Sequence, residues 1–443
     1  MVGDEGSQPA VVSERTKQAG DTPIHWQWVE PSVWTERMLM ALDRGVKGGK
    51  WFSLIDKVYN EGNLRAAFKK VKGNKGAAGV DHQTVAKFEE RLVTYLVQLK
   101  EALRQDTYQP QAIRRVWIPK PGSKEKRPLG IPTVRDRVVQ TALRNVLEPI
   151  FEKGFAPNSY GFRPGRGCKD ALRQVERLLQ AGYRYVVDAD LKSYFDTIPH
   201  HLLMEQVETK VSDGRVLRLI ERYLKQGVLE PMKAWLPEAG TPQGAVISPM
   251  LANIYLNPLD HAMEKTGRHM IRYADDFVVL CRTQEEAHSA LETVQQWVAD
   301  NKLALHPEKT KIVDVQAEGF DFLGYHFWRH TRWPRDKSLQ KLKDAIRAKT
   351  SRTSGQSLSM IIQQTNPKLR GWFEYFKHSN RRTFRRLDSW IRMRLRSILR
   401  KRVGLRGRGR GQDHHRWTNA FFATHGLFSL TAAYESIHQS ARR

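Results

Sequence analysis

Apolar and polar positions divide the chain into segments of different period. Residues 31–103 predict a helical region, broken by a glycine-rich loop from Gly73 to Gly79. Residues 113–119 read as a strand. A basic turn, Lys120-Pro121-Gly122-Ser123-Lys124-Glu125-Lys126-Arg127, and a second short strand ending near Pro132 complete a hairpin. Val138, Val139, Ala142, Leu143, Val146, Leu147 and Ile150 recur at three and four residues, which predicts an amphipathic helix. A short apolar strand at 185–190 ends in acid, and 202–224 reads as one helical stretch. The turn Gly240-Thr241-Pro242-Gln243-Gly244 precedes a helix at 249–259. Apolar runs on both sides of Ala274-Asp275-Asp276 predict a hairpin over 270–280 with acids at its tip. A helix at 285–301 and two short strands within 311–325 follow. Strands and helices here mix without the regular alternation of a parallel α/β fold. Further on, Phe384, Leu387, Trp390, Ile391, Leu395, Ile398 and Leu399 form a helical stripe, and 403–411 (VGLRGRGRG) reads as a basic linker.

Charge sharpens this picture. The 443 residues hold 74 Lys+Arg against 47 Asp+Glu, a net charge of +27. Residues 331–443 hold 27 basic and 6 acidic residues, so the last quarter supplies +21 of it. A field so concentrated attracts polyanions and favours counterion release from nucleic acid. At this length two or three domains are expected. The two cysteines, Cys168 and Cys281, fit no zinc spacing and suggest no more than a reduced, intracellular protein, and a cytoplasmic location, in the bacterial cytoplasm or nucleoid, is expected. No apolar run is long enough to span a bilayer, so no membrane partner is expected. Residues 1–24 read as a flexible tail.

The candidate chemistry is acidic. A tight hairpin pushes Asp275 and Asp276 to one tip, and Asp190 ends a strand 85 residues earlier. If the strands are neighbours, three carboxylates converge, which suits two magnesium ions and phosphoryl transfer. Adjacent acids in a turn are also ordinary turn formers. Asp188 shares a strand face with Asp190, so geometry alone does not separate them.

Context separates them. Tyr273-Ala274-Asp275-Asp276 resembles the catalytic signature of reverse transcriptases, and Asp190-Leu191-Lys192-Ser193-Tyr194-Phe195-Asp196 resembles their first catalytic motif. Gly240–Gly244 with Ser248-Pro249-Met250-Leu251-Ala252-Asn253 and Leu259-Asp260 resembles the group II intron version of the next motif. The likeness runs from about Asn63 to the C-terminus. It implies an α+β right-hand polymerase with an antiparallel palm sheet and a helical thumb. The implied organisation is a tail (1–24), a helical extension (25–110), fingers and palm (111–330), a thumb or maturase domain (331–402) and a basic DNA-binding segment (403–443).

The resemblance also implies roles. Asp190, Asp275 and Asp276 are the catalytic acids and, with the Leu191 carbonyl, the ligands of two Mg²⁺ ions. Lys120, Arg127, Phe195, Gln243 and Ala274 contact the incoming nucleotide: the cations hold the triphosphate, and Phe195 lies under the sugar and rejects a ribose 2′-OH. Lys309, with Lys311 an equal candidate, protonates pyrophosphate. Phe320-Asp321-Phe322-Leu323-Gly324-Tyr325 resembles a primer grip.

Asn366-Pro367-Lys368-Leu369-Arg370-Gly371-Trp372-Phe373 resembles the opening of the maturase domain. Arg381, Arg382, Arg385, Arg386, Arg392 and Arg396 are the candidate RNA contacts. No cysteine follows Cys281, which argues against the zinc-bearing His-Asn-His endonuclease of some family members. The implied partners are intron RNA, an RNA template, a DNA primer and target, and dNTPs. The implied activity is reverse transcription with splicing assistance and retrohoming. A free-standing reverse transcriptase used in defence or repair, a splicing-only maturase and an RNA-dependent RNA polymerase are the rival readings.

Overall fold

The computed structural model describes residues 26–119, 126–230, 233–235, 239–241 and 244–440. The chain forms two compact units, Met1–Ala171 with Val187–Lys311, and Leu172–Val186 with Ile312–Arg443.

In the first unit the helix Val134–Glu152 is buried on nearly every side. The expected amphipathic stripe is therefore only half of its character. Most of its buried polar groups are bonded, although Arg137 Nε and Gln140 Nε2 find no partner among the described residues. Thr133 accepts the Asp136 amide as N-cap, and the Gln140 side-chain oxygen accepts the Val246 amide. Asn145 donates to Asn63, which itself donates to the Ala142 carbonyl. The expected N-terminal helical region is a set of short helices, chiefly Glu36–Arg44, Glu61–Gly73 and Leu92–Arg104. The expected single helix over 202–224 is two, His200–Glu208 and Gly214–Leu224. Asp213 causes the break. One carboxylate oxygen caps the second helix through the Arg215 and Val216 amides, while the other accepts the Leu54 and Ile55 amides.

Two sheets have most of their strands in this unit. The strands β1 (Ile113–Pro119) and β2 (Lys126–Ile131) form the expected antiparallel hairpin. Strand β3 is Tyr185–Asp190, and β4 (Val228–Glu230) pairs parallel to β1 with β5 (Lys233–Trp235) outside it. In the second sheet β6 (His269–Tyr273) and β7 (Asp276–Cys281) are an antiparallel hairpin, with β3 beside β7. The apolar residues of β7 are buried on both faces, which explains its unbroken apolar run. The long helix Ser248–Lys265, opened by Pro249 in its first turn, packs on β6.

Beyond the segment Leu172–Val186, the second unit holds most of β8 (Lys311–Asp314), then a meander of β9 (Phe320–Phe322), β10 (Tyr325–Trp328) and β11 (Thr331–Pro334). Tyr325 donates its hydroxyl to the Tyr375 carbonyl, and Tyr375 donates to the Leu323 carbonyl, tying the meander to the helix Leu358–Phe376. That helix packs with Asp336–Lys349 and Arg381–Arg402 around a core that includes Ile346, Ile361, Leu369, Phe384 and Leu395. The stripe predicted from Phe384 onward faces this core. The boundary expected at 402/403 falls inside it, since Trp417, Phe422 and Leu430 are buried in the same cluster. Asp388 caps the last helix, Leu430–Ser440, by accepting the Leu430 and Thr431 amides. Among the described residues no helix is long and apolar enough to cross a membrane.

Candidate active site

The acidic tip follows from the register of its hairpin. Tyr273 pairs with Asp276, which leaves Ala274 and Asp275 as a two-residue turn. Ala274 sits at φ 62°, the left-handed region such turns require. The turn is pinned from two directions. Gly161 approaches so closely that a Cβ there would stand 2.2 Å from the Ala274 amide nitrogen. From beneath, the Arg272 guanidinium donates to the Ala274 carbonyl at 2.9 Å, to the Asn253 side-chain oxygen at 2.8 Å and to Asp260 at 2.8 and 2.5 Å.

Arg272 is wholly buried. Burial pulls its pKa down, but the Asp260 carboxylate outweighs this and holds it above the ordinary value. Asn253 and Asp260 stand seven residues apart, two turns along one face of the helix Ser248–Lys265. Asn253 also donates to the Gly161 carbonyl at 2.7 Å, so one side chain ties both supports of the turn together.

Asp190 ends β3. Its carbonyl accepts the His306 amide at 2.7 Å, and the Lys192 amide donates to Ala304 at 2.8 Å, clasping the motif with the segment 304–306. Lys309, four residues past Leu305 of that clasp, donates to the Asp190 carboxylate at 2.5 Å. The carboxyl of Asp275 is pushed up, first by burial and then by the Asp190 charge, while Arg127 and Arg272 pull against the shift. Asp190, Asp275, Arg127 and Lys309 thus share one electrostatic neighbourhood.

The expected gathering of three carboxylates takes a different form. Among the described residues no three Asp, Glu, His or Cys side chains stand close enough to hold a metal. Asp190 and Asp275 repel, Asp190 pairs with Lys309, and Asp276 already belongs to β7. The donor set nonetheless suits a hard divalent cation, because two hard oxygen donors of like charge need positive charge between them. The Lys309–Asp190 pair is 59% and 36% exposed, so it is a weak competitor for that place.

Around these acids lie further predicted residues. Ser193 takes a left-handed conformation (φ 50°) and starts a single helical turn, Tyr194–Thr197, with Tyr194 and Phe195 buried. Tyr194 donates to the Ala252 carbonyl at 2.6 Å, and the Phe195 carbonyl accepts the Thr241 amide at 2.6 Å. Gly240 presses on the Asp196 backbone and Gly244 on the Gly130 carbonyl, so the ends of the predicted turn are clamped. Lys120 and Gln243 lie outside the described residues. Leu191 is buried at the end of β3.

The helical unit sorts the predicted RNA contacts. Arg382, Arg385 and Arg386 are exposed, and Arg392 is half-buried. Arg381 pairs with Glu435. Arg396 is buried, with its guanidinium held by the Trp417 carbonyl and Asn419 over the Phe422 ring. It is a structural residue, which corrects its assignment as an RNA contact: helical spacing alone did not show that the segment 417–422 folds over it.

Sequence reasoning passed over Arg272 and Gly161, and quoted Asn253 and Asp260 as motif residues without giving them a role. One signal was present: an arginine inside the apolar strand preceding the Asp-Asp tip, a position where an unpaired charge is untenable.

Comparison with known proteins agrees with the resemblance. The family model "Reverse transcriptase (RNA-dependent DNA polymerase)" matches residues 118–327, and "Group II intron, maturase-specific domain" matches residues 339–417. Protein YkfC of Escherichia coli (strain K12) is 34% identical over 345 residues, 69% of this chain and 86% of YkfC. The group II intron-encoded protein LtrA of Lactococcus lactis subsp. cremoris is 41% identical over 196 residues, 44% of this chain and 32% of LtrA. A solved chain titled "Partial Cas6-RT-Cas1--Cas2 complex" is 24% identical, covering 56% of this chain and 41% of that one, with a TM-score of 0.36.

Proposed function

The chain belongs to the group II intron reverse transcriptase/maturase family, and from that premise we propose that it is an RNA-directed DNA polymerase that binds a group II intron RNA, assists its splicing and copies it into DNA. The observation that carries the reading is the Asp275 turn, held from below by Arg272 and placed within electrostatic reach of Asp190.

Asp190 and Asp275, with the Leu191 carbonyl and Asp276, are the groups to hold two Mg²⁺ ions. When bound, such ions lower the pKa of an attacking hydroxyl and neutralise a leaving pyrophosphate. The chain's own groups do the rest. Arg127, already close enough to pull on Asp275, offsets triphosphate charge together with Lys120. Phe195, fixed between Tyr194 and the Gly240 turn, sits under the sugar and excludes a 2′-OH, which favours DNA over RNA synthesis. Ala274 and Gln243 border the incoming nucleotide. Lys309 exchanges Asp190 for the pyrophosphate oxygen and gives up its proton there. Arg272 and Gly161 neither bind nor react; they fix the height of the turn.

The helical unit supplies RNA affinity through its exposed arginines, including Arg382, Arg385 and Arg386, and stabilises the folded intron without reacting with it. The basic segment past residue 402 contributes to DNA contact while its apolar residues complete the core.

The test is primer extension on an RNA template with Mg²⁺ and dNTPs. The wild type extends and Asp275→Ala does not. No extension by either protein, with tight RNA binding retained, overturns the polymerase reading in favour of a splicing-only maturase.

A further inference from the structure

The helical unit contains a cavity of about 470 Å³, lined among others by Arg347, Arg352, Arg394, Arg408, Trp390 and Thr350. Its volume falls in the range of small-ligand sites, roughly 300–1,000 Å³. The fold builds it deliberately from three pieces. Thr350 is the C-cap of the helix Asp336–Lys349, which brings Arg347 and, just beyond, Arg352. Trp390 and Arg394 stand one turn apart on the helix Arg381–Arg402. Arg408 comes from the loop that follows.

One wall is held in place. Arg394 donates to the Thr350 hydroxyl at 2.6 Å and to the Thr350 carbonyl at 2.8 Å, at a buried residue. The Arg347 and Arg394 guanidinium carbons lie 5.7 and 5.5 Å from the Trp390 ring centroid. One carboxylate, Asp344, pairs with Arg347. Arg352, Arg394 and Arg408 have no acidic partner among the described residues. Burial, then the charges of Arg347 and Arg352, pulls the Arg394 pKa down, so the cluster repels itself. Arg272 and Arg163, by contrast, are buried and paired with Asp260 and Glu152. Arg352 and Arg408 are exposed, so their charge is open to an anionic ligand.

Cations beside an indole ring, in a concave site, suit a flat π-system joined to phosphate. Paired bases are shielded inside a helix, so only an unpaired base can enter. We propose that this cavity receives one unpaired nucleotide of bound RNA, its base against Trp390 and its flanking phosphates on Arg352 and Arg408. The proposal rests on the RNA-binding reading and adds to it that the helical unit reads a bulged or looped-out nucleotide instead of backbone charge alone.

The test uses the full-length protein and two RNA hairpins, one with a single-adenosine bulge and one fully paired, at the same salt. A third hairpin carries 2-aminopurine at the bulge. The bulged hairpin should bind about tenfold more tightly than the paired one, the gain expected of one stacked base, and 2-aminopurine fluorescence should fall on binding. Trp390→Ala and Arg352→Ala should each erase the preference while the paired hairpin changes little; Trp390→Phe should keep it. Because Trp390 also touches the core, exposed Arg352 and the Phe variant carry the test if Trp390→Ala fails to fold. Equal binding of both hairpins by the wild type overturns the pocket while leaving RNA binding intact. Binding of neither overturns the RNA reading and the pocket together. An equal loss for both hairpins in Arg352→Ala reduces the pocket to general phosphate contact and also overturns it.

Discussion

The acidic turn and the Arg381–Arg402 helix use arginine in opposite ways. Arg272 is wholly buried, and its donors go to Asp260, Asn253 and the Ala274 carbonyl. Its charge is cancelled inside the protein, so what remains is position. Arg385 and Arg386 are exposed without an acidic partner among the described residues, so their charge remains available to a polyanion. Even the acids of the basic region are spent internally: Asp388 on capping, Asp413 on Arg400 and the Arg410 amide. One region converts charge into geometry, and the other preserves it for binding.

The strongest way to break this comparison is to remove the buried guanidinium. Arg272→Leu leaves Asp260 buried and unpaired, and should destabilise the fold by about 3–5 kcal/mol, read as a shifted denaturant midpoint. The double variant Arg272→Leu/Asp260→Leu should regain much of that stability without regaining primer extension, because nothing then holds the Ala274 carbonyl. Recovery of both together would show that Arg272 is only a stabilising pair.

Gly161→Ala isolates geometry from charge. The added methyl meets the Ala274 amide, and the turn must shift by a substantial fraction of an ångström. Extension should slow by about 10- to 100-fold, chiefly in kcat, with a small change in melting temperature. An unchanged kcat would mean that the turn's height does not govern the chemistry.

How much of this was legible differs between the two regions for the same reason. The acidic hairpin declares itself locally, since apolar runs flank two acids and the register follows. Its support does not. Arg272 makes sense only with Asn253 and Asp260 from a different element, and Gly161 only with the turn it touches. The break at Asp213 was likewise hidden, because its partners Leu54 and Ile55 lie 159 and 158 residues away. In the basic region the glycine-rich 403–411 stretch reads as an ending. Trp417, Phe422 and Leu430, spaced five and eight apart, lack a helical period and give no sign of returning to the core. The strands β10 and β11 were missed in part because each is four residues long.

A smaller effect probes the acids of the basic region. Asp388→Ala removes the cap of the Leu430–Ser440 helix and should lower stability by about 1–2 kcal/mol, measured by thermal unfolding. If RNA affinity rises because a negative charge is lost, rather than staying level, Asp388 belongs to the binding field and the division of labour is weaker than drawn.

The finest test lies within one helix. Exposed arginines acting on phosphates release counterions, so each of Arg385→Ala and Arg386→Ala should reduce the slope of log affinity against log salt by about 0.7–0.9, with melting unchanged. Arg396→Ala, ten residues further along the helix from Arg386, should do the reverse. It removes donors to Trp417 and Asn419 and lowers the melting temperature, yet leaves the salt slope where it was. Titrations of one structured RNA at several salt concentrations, alongside melts of the same preparations, separate the two classes. A slope change in Arg396→Ala equal to that of Arg385→Ala would mean that burial does not divide structural arginines from binding ones. The contrast with Arg272 would then reduce to a difference of degree.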